Sequence, residues 1–132
     1  MKTSLYCLLA SAVILCSCHE SLEKRAQREA REYTERYCPT PVQNYLRTDS
    51  VVFDTDNKVY NYYCSVDGDL DDERTFALNS NTITGAFLQT LKENTAFRAY
   101  KDAGFSFAWT LRSGKNPKVV YLKKIYTAKD YK

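Results

Sequence analysis

Histidine is nearly absent from this chain: its 132 residues contain one, His19. That scarcity removes a Ser-His-Asp or Cys-His nucleophile and a histidine-ligated zinc. Glycine is also scarce, at four residues, and no Gly-rich phosphate loop occurs. No apolar run is long enough to span a bilayer. The longest, from Leu5 to Leu15, stops well short of the roughly 20 residues a spanning helix needs. Charge of one sign is lacking too, with 19 Lys and Arg against 16 Asp and Glu. Such a balance argues against nucleic acid, which requires a clustered basic face. No C-x-x-C redox pair is present. Paired carboxylates occur in the loop at Asp67–Glu73, where nothing separates their pKa values or fixes their geometry. An enzyme is not expected, nor is a metal or any other cofactor.

What is present begins at the N-terminus. Lys2, the apolar run and then Leu15-Cys16-Ser17-Cys18 have the layout of a bacterial lipoprotein signal. Residues 1–17 are then removed, Cys18 is lipidated, residues 18–20 form the tether and 21–132 a single domain. An ordinary signal peptide cut after Ala10-Ser11-Ala12 is the weaker alternative. His19 sits beside the anchor and is poorly placed for a pocket. The mature chain keeps 18 basic and 16 acidic residues, so the acyl chains, not surface charge, supply membrane affinity.

Composition is otherwise ordinary except for tyrosine, with ten of the eleven in the mature chain. Half-buried strands whose hydroxyls reach water or a partner would explain that excess. Among the cysteines, Cys7 and Cys16 leave with the signal and Cys18 takes the lipid. Cys38 and Cys64 remain, and an even pair in an oxidising compartment favours a disulfide. Two separate buried thiols are the alternative.

Leu22, Ala26, Ala30, Tyr33 and Tyr37 form one apolar stripe, predicting a helix over 21–37. Its outer face places Arg28 with Glu32, Arg31 with Glu35 and Glu32 with Arg36 four apart. Pro39 and Pro41 end it. Residues 50–53 and 59–66 read as a hairpin across Asp54–Lys58, with Tyr60, Tyr62, Cys64 and Val66 on its core face. The acidic loop imitates the start of a calcium loop. However, Asp72 stands where glycine is needed and Leu78 where a bidentate Glu is needed. A solvated turn is expected instead. A second helix is predicted from Asn81 or Thr82, with a break near Asn94-Thr95 and a stop at Gly104. Phe105, Phe107, Trp109 and Leu111 alternate with smaller or polar residues as a half-buried strand. Residues 118–127 return beside it, with the slip at Lys123-Lys124 marking a bulge or an edge. The fold class is α+β, in the order αββαββ. One four-stranded antiparallel sheet is expected, covered on one face by two helices.

The pattern resembles small Bacteroidales-type lipoproteins of the outer membrane. The residues that carry the resemblance are Cys38-Pro39, Asp49-Ser50, Tyr60, Tyr62, Tyr63, Asn94, Phe97, Tyr100-Lys101-Asp102-Ala103-Gly104, Thr127 and Asp130-Tyr131. The resemblance transfers no functional residue. It implies an outer-membrane lipid anchor at Cys18. His19 is not the Asp that favours inner-membrane retention, and Glu20 and Glu23 are too scattered to resemble a surface-export cluster. A periplasm-facing domain is therefore favoured over a surface-exposed one. Two roles follow for such a chain. One is a binding or accessory subunit of an envelope protein assembly, contacting its partner through a sheet edge or the charged first helix. The other is a small peptide- or glycan-binding module using Tyr60, Tyr62, Tyr63 and Tyr121 as a sheet-face platform.

Overall fold

The computed structural model describes residues 20–132. The expected signal at 1–17, the expected lipidation site Cys18 and His19 lie outside them. Helix α1 is Leu22–Tyr37, capped by the Ser21 hydroxyl, which accepts from the Lys24 amide at 3.2 Å. Ala26 and Ala30 are fully buried, and their small side chains let the helix lie close to the sheet. Arg28 pairs with Glu32 as the spacing predicts, at 3.3 Å, and also with Glu20 at 2.9 Å. These exposed pairs each contribute little.

Strand β1, Leu46–Asp54, turns into β2, Val59–Val66. The Asp54 carboxylate accepts from the amides of Asp56 and Asn57, closing the predicted hairpin. β1 starts four residues earlier than its sequence pattern suggests, because Asp49 bulges out between the Thr48–Cys64 and Ser50–Tyr63 pairs. A bulge shifts the side-chain period by one residue and hides the strand from a period-two reading.

The acidic loop is not simply a solvated turn. Gly68–Leu70 forms a single 3-10 turn, and Asp72 caps a helix that begins eight residues ahead of Asn81. Its carboxylate accepts from the Thr75 amide and hydroxyl, both at 2.9 Å. Helix α2 spans Glu73–Glu93 and passes through Asn79-Ser80-Asn81-Thr82, residues that favour turns. Asn79 and Ser80 bond back to the carbonyls of Thr75 and Ala77, while Phe76 and Leu91 are buried and Ile83 and Phe87 pack against the core. The break falls at Asn94 as predicted. A 3-10 turn at Thr95–Phe97 follows, then α3 at Arg98–Asp102. Gly104 stops it with φ of 79°, the left-handed conformation glycine adopts freely. Strands β3, Ser106–Ser113, and β4, Val120–Tyr126, come next, then a short α4 at Ala128–Tyr131.

The α+β class, the four strands and the helix–hairpin–helix–hairpin order stand. The strand order is β1-β2-β3-β4. Both hairpins are antiparallel, but β2 and β3 pair in parallel, from Val59–Ser106 to Val66–Ser113. The expected all-antiparallel sheet is therefore a mixed one. The reason is α2: its 21 residues run about 31 Å at 1.5 Å per residue. That length returns the chain along strands of about 26 Å, so β3 starts at the end where β2 started.

The helices stand over one face of the sheet. Phe105, Phe107, Trp109, Leu111 and Leu91 are buried there, with Phe87 half-buried. Much of the tyrosine excess fastens these layers internally. Tyr100 donates to Glu29 Oε2, Tyr126 to the Thr84 carbonyl and Tyr131 to the Phe105 carbonyl, each at 2.6 Å.

Candidate functional site

α1 packs on β1, whereas α2 packs over β4 at the other side of the sheet. Those outer strands are three strand spacings apart, or about 14 Å, wider than the 8–10 Å of close-packed helices. The covered face of β2 and β3 is thus left as the floor of a groove. Its volume is about 470 Å³. Tyr33 of α1 forms one wall; Phe87, Thr90 and Leu91 of α2, with Asn94 at its C-cap, form the other; Tyr62, Cys64 and Trp109 lie beneath. Thr40, Gln43, Leu46 and Thr48 close one end. A second hollow of about 320 Å³ shares Tyr33, Tyr62, Asn94 and Phe97 and extends the groove to Glu29.

The floor is built from stacked rings. Tyr62 lies on Trp109 with centroids 4.9 Å apart and 7° between planes, and Phe87 lies on Trp109 at 4.9 Å and 9°. Burial pushes the Tyr62 hydroxyl well above its ordinary range and raises that of Tyr33. It also pushes the Cys64 thiol up to about 11, against an opposing contact from Thr48. All three groups are neutral at physiological pH, so the groove offers no thiolate nucleophile. Its chemistry suits apolar side chains, with hydroxyls and amides at the rim to pair with polar ones.

The four tyrosines singled out from sequence do not share one surface. Tyr60 is buried against Phe53, Phe97 and Phe107. Tyr62 is half-buried and lines the groove. Tyr63 alternates to the opposite face of the sheet, across from Thr110. Tyr121 stacks on Phe76 at 4.9 Å and donates to Asp71 Oδ1 at 2.8 Å. Asp71, which sequence placed in a solvated loop, is 7% exposed and also accepts from the Lys115 amide at 3.0 Å.

The expected disulfide is corrected: Cys38 and Cys64 are both free. Cys38 ends α1, which packs on β1, the strand beyond β2. Thr48 of β1 faces Cys64 across the ladder, with its hydroxyl 3.9 Å from the sulfur. Both thiols are small half-buried or buried groups of the kind the alternative described.

Sequence reasoning missed the groove walls Tyr33, Thr90 and Asn94. Tyr33 belongs to the apolar stripe of α1, yet it is 40% exposed. Asn94 was legible only as the break that ends α2, and Thr90 gave no signal, because its position on the groove wall depends on where α2 lies over the sheet. Among the described residues no helix is long and apolar enough to cross a membrane.

Residues 21–122, from α1 into β4, match the family model described as Domain of unknown function (DUF8479). The chain belongs to this family. No curated protein matches it. Three solved structures share the fold of this DUF8479 domain. A Pseudomonas aeruginosa protein proposed to be secreted has a TM-score of 0.69 at 14% identity, covering 86% of this chain and 99% of its own. The type 2 secretion system pilotin of Vibrio vulnificus gives 0.66 at 14% identity, covering 84% and 92%. The type II secretion system pilotin of Vibrio cholerae gives 0.62 at 13%, covering 83% and 91%.

Proposed function

We propose that this protein is a non-enzymatic accessory subunit of an envelope protein assembly. In this reading it is anchored in the outer membrane through lipid on Cys18, faces the periplasm and holds an apolar segment of a partner protein in the α1–α2 groove. The observation that carries the reading is the groove itself, an aromatic-floored channel on a fold shared with two secretion-system pilotins. The lipoprotein signal adds the anchor such a subunit needs. The glycan-binding alternative is weaker. The four tyrosines it would use do not share one surface, and Trp109 already stacks with both Tyr62 and Phe87.

The test uses the full chain in native envelopes. Thr90→Arg and Tyr33→Ala alter the groove walls without emptying the core. Each should abolish co-purification of an envelope partner after detergent solubilisation, with the unfolding midpoint nearly unchanged. Cys18→Ala should separately release the domain from the membrane or leave an unprocessed precursor. Undiminished partner recovery with both wall variants would sink the groove reading.

A further inference from the structure

The two edges of the sheet are treated differently. At β1, the Thr34 hydroxyl accepts from the Val51 amide at 2.8 Å, and the Thr48 amide donates to the Thr40 hydroxyl at 2.9 Å. The Thr48 carbonyl accepts from the Thr40 amide at 3.0 Å. That edge is occupied. At β4, pairing with β3 uses one side of the strand. Among the described residues no other backbone group bonds to Leu122–Tyr126. This stretch lies beyond the register shift opposite Leu111 and Arg112 and pairs regularly, so every second residue turns its N–H and C=O outward.

The side chains on the free edge are unusual for one that is merely protected. Lysine alone blunts an edge against pairing. Here Ile125 is 50% exposed and Val120 46%, while Lys123 and Lys124 are exposed beside them. No acidic residue occurs from Ser113 to Thr127, and four lysines do. Lys123 and Lys124 project to opposite faces of the sheet, as consecutive strand residues must.

We propose that the free edge of β4 is a docking strand for an extended, acidic segment of a partner polypeptide, which adds as a fifth strand. Backbone groups supply the pairing, and adjacent carboxylates opposite Lys123 and Lys124 supply the selectivity. A second copy is disfavoured as occupant. Two β4 strands pairing antiparallel would bring these lysines within a strand spacing of about 4.8 Å, where like charges destabilise. The edge lies outside the groove, so this surface stands whether or not the groove holds a partner.

The probe is the peptide Thr-Val-Thr-Glu-Glu-Val-Thr-Val, with a Lys-Lys version in place of Glu-Glu as comparison. Hydrogen exchange is followed by NMR on the detergent-solubilised full chain. The Glu-Glu peptide should slow alternate amides of 122–126 saturably, and the Lys-Lys peptide should bind about tenfold more weakly. In K123E/K124E, whose substitutions are exposed and leave the core intact, that preference should reverse. Unchanged β4 exchange with the Glu-Glu peptide at millimolar concentration would overturn the proposal. So would equal protection by both peptides, or concentration-dependent self-association through β4 in sedimentation.

Discussion

Thr34 and Val51 join α1 to the edge of the sheet through one hydroxyl. It accepts the Val51 amide proton at 2.8 Å and lies 2.9 Å from both the Val51 and Ala30 carbonyls, to one of which it donates. Thr34→Val keeps the shape but leaves the Val51 amide unpaired in a partly buried site. It should cost about 1–3 kcal/mol by urea denaturation, whereas Thr34→Ser should retain most of the stability. Equal losses for the two variants would mean that packing, not the hydroxyl, matters here.

Trp109 is 8% exposed between the rings of Tyr62 and Phe87. Trp109→Ala should cost about 3–5 kcal/mol. A loss below about 1 kcal/mol by chemical denaturation would show that the groove floor collapses onto the vacated space.

Asp71 should make stability depend on acid. Its burial opposes ionisation, but hydrogen bonds from Ser113, Tyr121 and the Lys115 amide outweigh that and hold its pKa below the usual carboxylate value. A depressed folded pKa contributes stability that is present above the unfolded pKa of about 3.9 and lost as pH falls through the folded value. Asp71→Asn turns an amide donor toward donors and should lose about 1–3 kcal/mol at pH 7. Its stability should also fall less steeply below about pH 4 than that of the parent protein. Parallel pH curves would rule out Asp71 as the source.

The free thiols should differ in reactivity. Burial raises both Cys38 and Cys64, the latter up to about 11. Brief alkylation of the folded, unreduced protein should label Cys38 before Cys64 by peptide mass spectrometry. Both should label once the protein is denatured. A Cys38–Cys64 cross-linked peptide would contradict the two free thiols of the structure.

Much of the local structure was written into short stretches. Phe105, Phe107, Trp109 and Leu111 alternate so regularly that one face had to be buried, and Tyr60, Cys64 and Val66 repeat that pattern on the neighbouring strand. Period-two apolar spacing is a nearest-neighbour property, so a sequence reveals it directly, whereas the burial of Ala108 and Thr110 on the other face of β3 depends on the tertiary structure. The start of α2 was hidden because Asn79 to Thr82 favour turns when considered alone. They are held in a helix by Phe76 and Leu91, which bury against strands distant in sequence.

The element order and the class of the fold follow from the sequence by itself, since each rests on patterns within one or two elements. Only the tertiary structure decided that β2 and β3 run parallel, that α1 packs on β1, and that a groove opens between the helices. Those outcomes depend on where separately formed elements come to rest. The contacts that settle this, such as Thr34 with Val51 and Asp71 with Tyr121, join residues 17 and 50 positions apart.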